Sequence, residues 1–157
     1  MKYTSFEIGK QLEKLGLGNY GIKMDDGTIS RIQREFKINL SEGDFNGSTD
    51  RSQLIDYIQK KTWKREVTES VRACSIFIIE DSDVTPDAEY GKGCGISRDG
   101  QGCVLKELEK RFGIRIPDSE KPECVPLNGG ENPGKVESTY RYLERIQTHS
   151  KPAGVEG

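Results

Sequence analysis

One short apolar pattern occurs twice in this chain, and the repetition limits the folds open to it. Residues 34–40 read REFKINL and residues 110–116 read KRFGIRI, at a separation of 76 positions. At the same separation, Ile29 corresponds to Leu105 and Ile32 to Leu108. Spacings of three and four residues are typical of one helix face. Five matched apolar positions in one register favour an internal duplication over chance recurrence.

A predicted helix follows each copy of the pattern. The matched positions, at a separation of 88, are Leu54, Ile55 and Ile58 in the first copy and Tyr142, Leu143 and Ile146 in the second. The second copy therefore carries extra residues, which we place in a loop at 120–135. Apolar spacing and capping residues predict helices at residues 4–15, 28–36, 50–61, 103–112 and 136–147. Residues 67–80 fit a helix, although residues 75–79 could equally form a strand.

The composition suits two small helical bundles better than one large core. Charged residues make up 32% of the chain and hydrophobic residues also only 32%, which implies large wetted surfaces. We therefore predict an all-α chain with one bundle at residues 1–62 and another at 67–147. The charged stretch 60–66 is the expected junction, and residues 148–157 the expected disordered tail.

The charge pattern excludes some partners. The net charge is −2, and basic and acidic residues alternate along most of the chain. Because no basic face is available to neutralise a phosphate backbone, we expect no nucleic acid partner. No stretch approaches the roughly 20 apolar residues that span a bilayer, so no membrane span is expected either.

Four cysteines lie at positions 74, 94, 103 and 124. The N-terminal residues are polar and do not resemble a secretion signal, so we expect a cytoplasmic protein with free thiols. Cys94 and Cys103 flank a Gly-rich loop and could bridge it under oxidising conditions; otherwise they are half-buried core residues. The absence of a Cys-x-x-Cys pair in the sequence argues against structural zinc.

Three elements of the second copy follow one another at a recognisable spacing. Residues 84–88 read VTPDA, residues 94–99 read CGISRD, and residues 108–118 read LEKRFGIRIPD. Their order and spacing resemble those of acyl carrier proteins. In that family the first helix leads into a V-T-P-D/E-A loop, an L-G-x-D-S-L motif follows, and the second helix ends in L-E-x-x-F-G-I-x-I-P-D. The resemblance covers residues 67–147 and extends weakly, through the repeat, to residues 1–62. It implies a tandem pair of small acyl-carrier-protein-like helical bundles, the first of them degenerate.

The resemblance also assigns candidate site residues. Ser97 corresponds to the serine that carries phosphopantetheine, and the second helix would supply the partner-binding surface. The surface residues it implies are Lys106, Glu107, Lys110 and Arg111. Ile96 and Arg98 replace the Asp and Leu that flank the family's serine, so we expect the prosthetic group to be absent. The mixed charge of the helix also differs from the family's acidic docking face.

The sequence favours a non-enzymatic role. His149 is the only histidine, and it lies near the end of the chain, so His-based general-base or nucleophilic catalysis is disfavoured. The leading hypothesis is a carrier-like module that acts by binding a protein partner. The alternatives are a helical interaction or inhibitor protein, such as a viral or host-defence accessory, and a small enzyme. The acidic stretches Asp25–Asp26 and Glu80–Asp83 lack calcium-loop spacing and suit solvated turns.

Overall fold

The computed structural model describes residues 1–17, 21–45, 47–127 and 134–149. Helix makes up 61% of the structure and strand 4%, which confirms the all-α prediction. The α-helices are α1 Ser5–Lys14, α2 Asp26–Phe36, α3 Arg51–Cys74, α4 Arg98–Phe112, α5 Lys121–Cys124 and α6 Glu137–His149. Two short strands, β1 Ile22–Lys23 and β2 Ser48–Thr49, pair antiparallel. Short 3-10 turns occur at Glu42–Asp44, Asp81–Asp83 and Asp118–Glu120.

The chain divides into two compact units. One comprises Tyr3–Lys64, and the other comprises Met1–Lys2 together with Arg65–Gly157. The division falls inside α3. The boundary, between Lys64 and Arg65, lies within the charged stretch 60–66 where the sequence predicts a junction, but α3 is continuous through it instead of ending near residue 61. Thr62, Trp63 and Glu66 are buried, so this stretch contributes to packing.

The unit Tyr3–Lys64 begins with a capped helix. Thr4 precedes α1, and its hydroxyl accepts a hydrogen bond from the Glu7 amide at 3.2 Å. Asp25 precedes α2, and its carboxylate accepts one from the Thr28 amide at 2.8 Å. Caps of this kind satisfy amides that have no partner within the helix. The two helices and the first part of α3 bury one apolar cluster, whose members include Ile8, Leu12, Ile29, Ile32, Phe36, Leu54 and Ile58.

The second unit has its own buried residues on each of its longer helices. They include Val67 and Val71 on α3, Leu105, Leu108 and Phe112 on α4, and Tyr142 and Leu143 on α6. Lys2 belongs to this unit, and its amide donates to the Phe112 carbonyl at 2.6 Å. An isolated antiparallel bridge joins Glu89 to Lys135, two residues before α6 begins.

Several predicted boundaries were wrong. Helix α3 extends to Cys74, and residues 75–79 are neither helix nor strand. Helix α4 begins at Arg98 instead of residue 103, so Gly100 and Gly102 lie within it. Thr148 and His149 belong to α6, not to a tail, and residues 150–157 lie outside the described residues. Helix α5 occupies part of the expected loop at 120–135, of which residues 128–133 are not described.

Candidate functional site around Ser97

Ser97 lies at the start of α4 and is exposed. Its backbone is extended, with φ −80° and ψ 175°, and its Oγ accepts a hydrogen bond from the Gly100 amide at 3.1 Å. This is the geometry of a helix N-cap. The amides and dipole of a helix N-terminus favour negative charge, so the serine hydroxyl is placed where a phosphodiester would be stabilised.

The loop before Ser97 is held against the end of α3. The Ile76 amide donates to the Gly95 carbonyl at 3.1 Å, and the Ser75 hydroxyl donates to the Cys94 carbonyl at 2.5 Å. Gly95 has φ +63°, and a Cβ at this position would lie 2.5 Å from the Phe77 ring. Only glycine fits that close approach. Ser97 is therefore presented by a fixed loop.

A disulfide lies beside this loop and joins Cys74, the last residue of α3, to Cys103 in α4. The expectation of free thiols is wrong for these two residues, and the bridge that we considered between Cys94 and Cys103 is not the one formed. Disulfides persist mainly in oxidising compartments, so the cytoplasmic location expected from the sequence gains no support from this pair. Spacing alone could not have identified Cys74 as the partner.

The other two cysteines are free and buried. Burial, with a smaller contribution from Asp83, raises the pKa of the Cys94 thiol to about 11. Burial raises the pKa of the Cys124 thiol to about 12, with smaller contributions from nearby glutamates. Because the thiolate is the nucleophilic form, neither thiol suits nucleophilic catalysis near neutral pH.

Next to the Ser97 loop is an exposed apolar segment that the sequence analysis did not recognise as a surface. Ile76, Phe77 and Ile78 are 75%, 50% and 96% exposed. The apolar spacing predicts a helix or a strand through these residues, whereas in the structure they belong to neither. Exposed apolar residues in a row are typical of interaction sites.

The four surface residues predicted on α4 divide into two pairs. Lys106 and Lys110 are exposed one turn apart. Arg111 and Glu107 are half-buried, with Nη2 of Arg111 3.7 Å from Oε1 of Glu107. Nη1 of Arg111 also lies 3.1 Å from Oε2 of the buried Glu66. This second pair has contacts within its own unit, whereas the two lysines face solvent.

The remaining candidate residues have structural roles. Asp25 caps α2, and hydrogen bonds from Thr28 lower the pKa of its carboxyl group. Glu80 and Asp83 form a reciprocal capping box around one 3-10 turn. Across the described ranges, no group of three or more His, Cys, Asp or Glu side chains could hold a metal ion. No helix within those ranges is long and apolar enough to cross a bilayer.

The chemistry available at this site is therefore a serine hydroxyl presented at a helix start, beside an exposed apolar segment. Comparison with known protein families, curated proteins and solved structures finds no match to the chain.

Proposed function

We propose that this chain is a non-enzymatic, acyl-carrier-like module that acts by binding a protein partner. The observation that carries the proposal is the exposed position of Ser97 at the start of α4, after a long anchored loop. A helix, a loop containing the VTPDA sequence, and a helix that begins at a serine and ends before the IPD sequence follow in the order that the resemblance implies. The last helix is α6.

The tandem arrangement is part of this proposal, and the separation of 76 residues supports it. The 3-10 turns Glu42–Asp44 and Asp118–Glu120 lie 76 residues apart in the sequence. The residues that end α2 and α4, Lys37 and Gly113, have the same separation, and both adopt a left-handed backbone.

One hydrogen bond also occurs in both units at that separation. The Gln33 side chain accepts from the Leu40 amide at 2.8 Å. The Glu109 side chain accepts from the Ile116 amide at 2.9 Å. An equivalent side-chain contact is harder to obtain by chance than an apolar spacing, because it requires the same local backbone path in both units.

A working carrier with phosphopantetheine on Ser97 is the second candidate, and the helix N-cap position of Ser97 favours it. Against it, the neighbouring positions differ from the family's motif. Ile96, in the place of the family's Asp, is buried, and Arg98, in the place of the apolar residue, is exposed. A transferase that recognises the residues on both sides of the serine would not find the side chains that the family's motif provides.

Intact mass separates these two candidates. The chain is co-expressed with a phosphopantetheinyl transferase of broad specificity, alongside S97A as the matched control. We expect the unmodified mass for both proteins. A phosphopantetheine increment on the wild type that S97A removes would establish a working carrier and replace the partner-only role.

Capture from an extract of the source cells tests partner binding itself. We expect the wild type and S97A to retain the same partner at constant stoichiometry, and K106E/K110E to lose it because α4 presents both lysines to solvent. The matched control is K10E/K14E, which reverses two exposed lysines on α1. Capture by none of the proteins, or capture that requires Ser97, would contradict the proposal.

A further inference from the structure

The segment 76–78 is exposed, yet its backbone is anchored at both ends. On one side the Ile76 amide is bound to Gly95, and the Phe77 amide donates to the Ser75 hydroxyl at 2.9 Å. On the other side Ile79 is buried, and its carbonyl accepts from Nε of Arg72 at 3.0 Å. The chain therefore holds apolar side chains in water on a fixed backbone. Preorganisation of this kind lowers the entropic cost of binding.

The surroundings of the segment are acidic. Residues 73–91 contain Glu80, Asp81, Asp83, Asp87 and Glu89 and no lysine or arginine. Arg72 adjoins this stretch, but its guanidinium is paired with Glu69 and with Asp81. Lys92 and Arg98 lie at the two ends of the 93–97 loop, so the negative charge borders the apolar segment on its Glu80–Asp83 side and forms an acidic rim there.

The negative charge beside the segment distinguishes between the kinds of surface that could bind there. An anionic membrane surface would attract the apolar residues but repel the acidic rim. A symmetric dimer through the segment would place the two acidic rims against each other, since a two-fold interface joins a patch to its own copy. A protein surface with an apolar pocket and a lysine- or arginine-rich rim complements both features.

We infer that segment 76–78, with its acidic rim at residues 80–83, is a docking surface for a basic, apolar-faced protein element such as an amphipathic helix. The inference deepens the proposed function and rests on it for the existence of a partner. It assigns the partner's basic element to the loop side of Ser97; the exposed lysines of α4 would contact a separate, acidic region of the same partner.

A synthetic amphipathic helix with a leucine face and a lysine face is the probe, and the same peptide with glutamate for lysine is its control. Binding to the isotope-labelled full chain is followed by amide chemical shifts. We expect saturable binding of the lysine peptide, with shifts concentrated at residues 75–83 and 94–97. We expect the glutamate peptide to bind at least tenfold more weakly than the lysine peptide. We also expect higher salt to weaken the binding of the lysine peptide.

Two variants and their controls locate the site. I76S/I78S removes the most exposed apolar groups and retains Phe77 against Gly95; we expect a tenfold or greater loss of affinity. E80Q/D83N retains acceptors for the capping box and removes two charges; we expect a loss of severalfold. The matched controls are F6S, at an exposed phenylalanine on α1, and D26N/E144Q, at two exposed acids on other helices. These should bind like the wild type.

Several outcomes would overturn the inference. They are no binding up to millimolar peptide, equal binding of both peptides, shifts centred elsewhere, and concentration-dependent dimerisation that I76S/I78S abolishes. The inference and the proposed function can fail separately. A captured partner that I76S/I78S still binds would refute this surface alone, whereas peptide binding here without any captured partner would refute the proposed function alone.

Discussion

Helices α2 and α4, one from each unit, end in the same way but begin differently. Helix α2 has 11 residues and α4 has 15, so α4 has one additional turn at its N-terminal end. In the first unit the residues that correspond to this turn form β1 and the Asp25 cap. At the separation of 76, Gly21 takes the place of Ser97. The two helix starts therefore differ in both length and capping residue: α2 follows a carboxylate, Asp25, whereas α4 follows a hydroxyl, Ser97.

In both units a β-bridge joins the loop before α2 or α4 to residues just before the last helix of that unit. The two bridges lie at different sequence distances from the start of α2 and of α4. Ile22 pairs with Thr49 and lies four positions before α2 begins. Glu89 pairs with Lys135 and lies nine positions before α4 begins. The longer interval in the second unit contains the Gly-rich loop that carries Cys94 and Gly95.

The largest expected effect tests the shared part of the units. Phe36 and Phe112 each end a helix and are buried, so F36A and F112A should each lower the free energy of unfolding by about 3–5 kcal/mol. Urea denaturation followed by circular dichroism measures both. A negligible loss in either variant would show that the two phenylalanines do not have equivalent roles.

The next effect is confined to the second unit, because all four cysteines lie there. The disulfide closes a loop with a sequence separation of 29, so C74S/C103S should lower the stability of this unit by about 3–4 kcal/mol. Denaturation of the wild type with and without a reducing agent measures the stability that the disulfide contributes. The reducing agent should not change the stability of C74S/C103S. If C74S/C103S also altered the hydrogen-exchange protection of α1 and α2, the destabilisation would not be confined to the second unit.

A smaller effect tests the hydrogen bond common to both units. Q33A removes a neutral acceptor and should cost about 1 kcal/mol, whereas E109A removes a charged one and should cost about 2 kcal/mol. E109Q keeps an acceptor oxygen and is the matched control. An equal loss in E109Q and E109A would show that the acceptor for the Ile116 amide is not what stabilises this turn.

The smallest expected effect concerns the helix cap at Ser97. S97A removes the acceptor for the Gly100 amide and should cost about 1 kcal/mol, whereas S97D should retain the cap and most of the stability. Thermal unfolding of both variants beside the wild type measures the difference. If S97D is as destabilised as S97A, the hydroxyl does not act as a cap.

The sequence predicted helices where apolar spacing and a local cap agreed, as at α1 with its Thr4 cap. It ended the third helix near residue 61, whereas α3 continues through the charged run to Cys74. Glu66 is buried there and pairs both with the adjacent Arg65 and with Arg111, which is distant in the sequence. An ion pair between residues so far apart in the sequence cannot be recognised from the short stretch of sequence around either of them.

The start of α4 was missed for a related reason. Gly100 and Gly102 lower intrinsic helix propensity, which favoured a later start. A Cβ at Gly100 would lie 3.3 Å from Ile96 Cγ2 and 3.4 Å from the Cys74 carbonyl oxygen. The absence of a side chain at Gly100 thus leaves room for Ile96, whereas the Cys74 oxygen would be at ordinary van der Waals distance. Ser97 could be named from the family resemblance, but the exposed 76–78 segment could not, since only the folded structure shows that this apolar run faces solvent.

The hydrogen bond from the Lys2 amide to the Phe112 carbonyl has a consequence for biosynthesis. Closing so long a loop carries a large entropic cost, and contacts between residues distant in the sequence form slowly. The unit Tyr3–Lys64 can complete its contacts while the ribosome is still extending the chain. Lys2, although translated earlier than α4, must wait for α4 to emerge before it can reach its native position.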